Sequence, residues 1–302
     1  MKDTPDWNDL RIFLAIARLG TISSTGERMG IEHTTVSRRM DRLEATLGLV
    51  LFDRRRSGYT LTEAGEALIP YAEKMETALH EAVDRSVMSE ARIQGAVRVG
   101  TPEAFGINVL APQLTELNTR YPDLQIQLMA QPQFPSLVTR EVEILVTLEP
   151  PQVGRYTISK LATIKYYLYG SRSYIERNGP INNLADVKKH RFIDYIHDGS
   201  VSERYRILEE LDPEPQRCFT TTSVLAQRAA AVAGLGLVLL TPYVAEQRPD
   251  LVCVFPDNAL MTRGIWIAAP EDLLKIRRVR IVWDYIRQLI EADTRRFHRN
   301  SN

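Results

Sequence analysis

The chain has 302 residues, 44% of them hydrophobic and 25% charged, an ordinary balance for a globular protein with room for two domains. Its 38 basic and 38 acidic side chains cancel, so bulk charge announces neither a nucleic acid nor a membrane as partner. The only cysteines, Cys218 and Cys253, lack metal-ligand spacing, and the longest apolar run, Ala229 to Leu240, is too short to span a bilayer.

The N-terminal stretch MKDTPDWNDL is polar and acidic, so no signal peptide is expected and the protein is expected in the cytoplasm. A first helix is expected from Asp6 to Leu19, burying Leu10, Phe13, Leu14 and Ala17. Ile22 to Leu43 then reads as two short helices. Ser23 suits the N-cap of the first, and Gly30 suits its left-handed stop. The second carries Val36, Met40, Leu43 and Leu47 as one buried stripe and shows His33, Thr34, Ser37 and Arg38 on its other side. A short helix with an apolar back and a donor-rich front fits the recognition helix of a helix-turn-helix. Charge collects around it: from Arg28 to Thr60 there are seven arginines against four acids.

Val50-Leu51-Phe52 is expected as a short strand, Arg54-Arg55-Arg56-Ser57-Gly58 as a basic turn, and Tyr59-Thr60-Leu61 as the returning strand. Together they predict a wing whose arginines meet phosphates. Thr62 is placed to cap a long helix, Glu63 to Arg92. Leu68, Tyr71, Met75, Leu79 and Val83 follow its seam at three- and four-residue steps, which predicts packing on a partner helix.

From Gly95 the pattern changes to short strands alternating with helices, an α/β domain with mostly parallel sheet. Strands are expected at 96–100, 124–128, 142–147, 165–169, 192–196, 218–221, 237–240, 252–255 and 265–269, with Arg277 to Ala292 as a closing helix. Ligands of open α/β sheets sit beyond the C-terminal strand ends. That nominates Thr101, Thr147, His197, Thr222 and Ser223 for a small effector. Glu103 stands at the same place and opposes an anion there. His197, Asp198 and Ser200 do not add up to a hydrolase, because no G-x-S-x-G elbow is present. The Gly234–Gly236 pair ends a helix rather than opening one, so it is no dinucleotide loop.

The stretch Leu10–Gly65 resembles, without gaps, the DNA-binding domain of LysR-type transcriptional regulators, through LRIFLAIARLGTIS, ERMG, TVSRRMDRLEATLG, LFDRR and LTEAGEAL, the last running on to Leu68. GAVRVGT, LYGSRSYIERNGP, AAAVAGLGLVLLTP and IWIAAP resemble the same family's regulatory domain. The chain departs from the family at Glu32, His33, Thr34 and Thr35, where Ser, Gln, Pro and Ala are usual, and at Thr25 and Gly26, where alanines are usual. The first departure falls on base-reading positions, so no target sequence carries over.

The resemblance implies an α/β protein with an all-α winged helix-turn-helix domain at 1–62, a linker and dimerisation helix at 63–93, and an effector-binding domain at 94–302. The last would resemble a periplasmic solute-binding protein, with one subdomain at about 95–165 plus 269–302 and the other at about 166–268. It further implies DNA contacts from Ser23, His33, Thr34, Thr35, Ser37, Arg38, Arg39, Arg42, Arg54, Arg55 and Arg56. The partners it implies are double-stranded promoter DNA with an interrupted palindrome, a second copy or a dimer of dimers, RNA polymerase, and a small-molecule co-inducer, with no resident cofactor or metal and no membrane. The competing function is a small-molecule-binding α/β receptor or enzyme whose N-terminal helices serve only for association.

Overall fold

Asp6 accepts a hydrogen bond from the backbone N–H of Asn8 (2.9 Å) and so caps α1, Trp7–Leu19. In the computed structural model, residues 4–55, 58–86, 93–131, 136–137, 140–152, 154–198, 205, 207–212, 214–293 and 297 are described. After α1 come α2, Ile22–Met29, and α3, His33–Leu47. The cap of α2 is Thr21, not Ser23: the helix starts at Ile22, so the third free N–H, that of Ser24, reaches the Thr21 hydroxyl at 3.1 Å. Ser23 is left exposed. Gly30 closes α2 at φ 66°, as its place in the turn requires. A Cβ on Gly26 would lie 2.7 Å from the Ile31 carbonyl oxygen, so the glycine lets the turn fold back onto α2.

The wing is a two-stranded antiparallel hairpin of β1, Phe52–Arg55, and β2, Gly58–Leu61, with Phe52 opposite Leu61. The first strand therefore starts two residues later than expected. Arg54 and Arg55 lie in it rather than in the turn, because the cross-strand pairs run out to Arg55 and Gly58. Arg56 lies outside the described residues. Thr62 caps α4, Glu63–Ser86, through the N–H of Gly65 (3.1 Å). The expected stretch beyond residue 86 is outside the described residues. The core of this region joins Phe13, Ile16, Val36, Met40, Leu43, Leu51 and Phe52 to Ala72 of α4.

The chain divides into two compact units. The first holds residues 1–90 together with two later segments, Ser136–Glu141 and Asp272–Arg277. Arg140, only 9% exposed, joins those segments to α4. Its guanidinium meets Glu73 at 2.8 Å, Asp272 at 2.6 Å and Glu76 at 3.7 Å. Arg18 of α1 meets Glu76 at 2.7 Å, and the Thr77 hydroxyl donates to Asp272 at 2.9 Å.

The second unit is α/β. It opens with β3, Gly95–Thr101, then α5, Glu103–Phe105, which runs on through a π turn (Gly106–Leu110) and a 3-10 turn (Ala111–Gln113) into α6, Leu114–Arg120. There follow β4, Leu124–Ala130, β5, Ile144–Thr147, the long β6, Tyr156–Ser171, α7, Arg172–Asn178, and α8, Leu184–Val187. The chain continues with β7, Phe192–Tyr195, β8, Arg217–Thr221, α9, Val224–Val232, β9, Val238–Leu240, α10, Pro242–Ala245, and β10, Leu251–Cys253. It ends with β11, Met261–Pro270, a 3-10 turn (Leu273–Lys275) and α11, Arg277–Ala292.

The main sheet runs β10-β6-β11-β5-β3-β4, with β9 also on β6, and a second pair joins β7 to β8. The sheet is mixed rather than mostly parallel. Among the described strands of the main sheet, β3 pairs in parallel with β4 and β5, whereas the long strands β6 and β11 pair antiparallel with each other and with their neighbours; the separate β7–β8 pair is parallel. The expected strands at 165–169 and 265–269 are the apolar inner portions of these two. Thr157, Ile158 and Lys160 on β6 are exposed, so the outer part of the strand carries no continuous apolar run.

Candidate nucleic-acid interface and ligand cavity

The faces of α3 separate as its periodicity predicts. Val36, Met40 and Leu43 are buried, while His33, Thr34 and Arg38 are exposed and Thr35, Ser37 and Arg39 are half-buried. Glu32 stands at the N-cap without a side-chain hydrogen bond, so the first backbone N–H groups of α3 keep their donors beside His33 and Thr34. Arg38 makes no ion pair among those of the described residues.

Several of the nominated arginines are already engaged. Asp9 of α1, 2% exposed, takes both Nε and Nη2 of Arg42 at 2.6 Å, and Arg39 stands 3.5 Å away. Asp6 adds a contact to Arg42 at 3.3 Å. The hydrogen bond from Arg42 to Asp9, and then their charges, raise the pKa of Arg42. This fork braces α1 against α3. Arg54 pairs with Asp41 and with Glu44 (2.9 Å) and lies over the Tyr59 ring at 5.8 Å. Glu44 also accepts from the N–H of Leu51 at 2.6 Å, which ties the end of α3 to the hairpin. Arg55 stands 4.0 Å from Asp53 and is well exposed. Sequence patterning alone missed Asp9. An acid beside Leu10 on the apolar side of α1 was the available signal, since a buried carboxylate needs a cation.

On α4 the nominated seam splits. Leu68 packs against the core of its own chain. Tyr71, Met75 and Leu79 are 65%, 49% and 47% exposed at four-residue spacing, one apolar stripe along the helix. The side chain of Val83 lies outside the described residues.

In the second unit, a cavity of about 30 Å³ lies beyond the ends of β3, β7 and β9. Glu103 and the phenols of Tyr166, Tyr195, Tyr205 and Tyr243 line it, with apolar groups such as Leu148, Val224 and Leu240 between them. Among the described residues its lining includes no lysine, arginine or histidine. Burial pushes the Tyr243 phenol up to about 12 and those of Tyr166 and Tyr195 further, so all three stay protonated at neutral pH. Glu103 reaches the start of α9: one carboxylate oxygen accepts from the Ser223 hydroxyl and the other from the N–H of Val224, both at 2.8 Å. Ser223 itself caps α9 through the N–H of Ala226 at 3.2 Å.

Of the nominated effector residues, Glu103 and Ser223 are thus brought together. Thr101 is fully buried, its hydroxyl against Gly106 and away from the cavity wall. Thr147 is buried too, and Thr222 is half-buried; neither lines the cavity. His197 is held between Glu209 (Nδ1, 2.9 Å) and Asp194 (Nε2, 3.3 Å). Those three side chains lie close enough to hold a metal ion, yet the Arg217 guanidinium already spans both carboxylates, at 2.8 Å and 2.5 Å. Both carboxylates therefore already have a cationic partner. The tyrosine-lined wall had no sequence signal, because its members come from β6, β7, α10 and the stretch around Tyr205, far apart in the chain.

The chain matches two family models: residues 7–66 the bacterial regulatory helix-turn-helix protein of the lysR family, and residues 90–291 the LysR substrate binding domain. The chain belongs to the LysR family. It is 25% identical over 298 residues to a glycine cleavage system transcriptional activator homolog of Haemophilus influenzae, covering 97% of both chains. It is 23% identical over 297 residues to the transcriptional activator TtdR of Escherichia coli, covering 95% of this chain and 94% of that one. Two solved structures share the fold. ArgP of Mycobacterium tuberculosis gives a TM-score of 0.69 at 19% identity and covers 99% of each chain. CrgA of Neisseria meningitidis gives 0.57 at 19%, covering 95% of this chain and 99% of that one.

This LysR-type protein is a DNA-binding transcriptional regulator and not an enzyme. No described helix is long and apolar enough to cross a membrane. Within its wing, Arg55 and Arg54 should behave differently. Arg55→Ala is expected to weaken binding on every DNA sequence and to lower the salt slope of log K by about one unit. Arg54→Ala should act mainly by loosening the α3–hairpin contact. Equal slopes for Arg55→Ala and the parent, measured by fluorescence anisotropy over a salt series, would remove Arg55 from the phosphate contacts.

Proposed function

We propose that this regulator binds an interrupted palindrome in promoter DNA as a dimer or a dimer of dimers, in the cytoplasm, and answers to a small-molecule co-inducer. In this reading DNA binding belongs to 1–62, the linker helix to 63–93, and the effector domain to 94–302, its two subdomains at about 95–165 with 269–302 and at about 166–268. The observation that carries the DNA reading is the front of α3, where His33, Thr34 and Arg38 are exposed over a buried back. An element of this kind enters a major groove with its first turns toward base edges. His33, Thr34 and Ser37 then read bases or adjacent phosphates, and the long, free side chain of Arg38 suits a two-pronged contact to guanine.

Thr35 and Ser23 support the same surface, while Arg39 and Arg42 place α3 from behind through Asp9. The exposed stripe of Tyr71, Met75 and Leu79 supports pairing through α4, and a two-fold protein suits a two-fold site. The cavity beside Glu103 supports the effector reading, since it lies where strands end and helices begin. Transcription control then requires that the effector favour one arrangement of the oligomer over another. RNA polymerase is the partner through which such a change is read.

Arg38→Ala tests the groove assignment. It should cost about 1–3 kcal/mol on the cognate site and relax preference at one base position. Binding selections with randomised sites measure this. Equal loss on specific and random DNA would make Arg38 a phosphate contact instead.

A further inference from the structure

We propose that the cavity beside Glu103 receives the cationic head of a small amine, and that Glu103 excludes carboxylate ligands from it. The inference rests on the reading of this cavity as the effector site.

The donors that an anion would use are already taken. The hydroxyl of Ser223 and the free N–H of Val224 at the start of α9 both point to Glu103, at 2.8 Å. An entering carboxylate would have to displace Glu103 or sit against a like charge. No basic side chain stands among the described lining residues, so none of these offsets that repulsion.

A cation meets the opposite situation. Each Glu103 oxygen accepts one hydrogen bond, and a carboxylate has about four lone-pair sites, so each oxygen keeps a place for a further N–H donor. The phenols of Tyr166, Tyr195 and Tyr243 are neutral, and the rings around the carboxylate offer electron-rich faces to a positive charge. Tyr195 and Tyr205 stand with centroids 4.9 Å apart at 39° to one another, an inclined pair of aromatic surfaces. The space, about 30 Å³, holds roughly two water-sized groups, which is the size of an ammonium with its first carbon. A ligand with a longer tail needs the walls to part, and that movement is where binding would bias the protein's conformation.

The test uses the full-length protein at fixed ionic strength, titrated calorimetrically with ethylamine and putrescine, with propionate and succinate, and with propanol. Both amines are expected to bind and the two anions and the alcohol are not. In Glu103→Gln, which keeps the side chain's shape, amine affinity should fall about tenfold or more as the charge-assisted contact is lost. In Glu103→Ala the Ser223 hydroxyl and Val224 N–H come free, and propionate should begin to bind. DNA affinity, followed in parallel, reports whether each variant is folded; should the alanine variant fail, the glutamine variant carries the test. Propionate or succinate binding the parent better than the amines overturns the charge assignment and leaves the effector site standing. Amine binding unchanged in Glu103→Gln also overturns it. No binding by any probe, in the parent or in either variant, overturns the inference and the effector site together.

Discussion

Leu79→Glu should split the dimer. Leu79 is 47% exposed on α4, four residues after Met75 and eight after Tyr71, and all three project from a helix whose opposite side packs Leu68, Ile69 and Ala72 into the N-terminal core. An apolar stripe of this kind is stable in water only at a cost of roughly 25 cal/mol per Å². In the proposed dimer, pairing with the same stripe of a second copy would remove that cost. A glutamate in its place would be buried without a cation, and an unpaired buried charge costs several kcal/mol. The expected result is a drop in dimer affinity of about 100-fold or more, with binding to a paired half-site falling in step. Leu79→Ala should weaken the dimer much less. Sedimentation velocity over a concentration series separates the outcomes; an intact dimer in Leu79→Glu would place the subunit contact on another surface.

The second large effect belongs to Arg140. Its guanidinium is 9% exposed and gathers Glu73, Glu76 and Asp272 within 3.7 Å. Burial alone would raise the Asp272 carboxyl. The charge and hydrogen bond of Arg140 and the bond from Thr77 outweigh it and hold the group below its ordinary value. Arg140→Ala removes the central cation and leaves three carboxylates close together, with Arg18 still paired to Glu73 and Glu76. The loss should be about 3 kcal/mol in the N-terminal unit, within the range for breaking a buried pair from one side.

The pH dependence has a definite sign. A carboxyl with a depressed pKa contributes stability that is present above its unfolded value, about 3.9, and is lost as pH falls through the folded value. The parent should therefore lose part of its advantage below about pH 4, while the variant has no such contribution to lose. The gap between them should narrow on acidification. Thermal melts of both proteins at neutral pH and near pH 3 check this, and a constant gap would deny Asp272 its part.

Much of the architecture is local in origin and so legible in the chain. The stripe of Val36, Met40 and Leu43, the Thr62 cap and the helix Arg277–Ala292 each arise from residues within a few turns of one another. Errors occur where a tertiary partner decides. Thr21 displaced Ser23 as a cap by a shift of two residues, and the extent of β1 depends on its partner strand rather than on Val50 or Leu51. The long strand β6 was half-hidden, since its outer residues face solvent and only the inner ones are apolar.

The site is less legible still. The arginine patch on α3 and the wing was visible, but not that Asp9 takes Arg42 across 33 positions or that Asp41 and Glu44 take Arg54. The link from Glu103 to Ser223 spans 120 positions. No periodicity reports a contact of that range. The strand-end rule located the neighbourhood through Glu103 and Ser223, while Thr101 obeyed the same rule and faces Gly106 instead.

The first unit is assembled from three stretches of chain, which pass into it up to residue 90, again at 136–141 and again at 272–277. This has a consequence for inheritance. Recombination that joins the first 90 residues of this regulator to the C-terminal domain of a relative exchanges Arg140 and Asp272 for whatever the relative carries, while Glu73, Glu76 and Thr77 stay behind. Where the relative has no arginine there, such a hybrid gene keeps the acids with Arg18 but without Arg140, the cation that lies 2.8 Å from Glu73. Glu73 and Arg140 form a compatibility pair: one drifts only as far as the other allows, and a successful graft must carry all three stretches or restore the arginine.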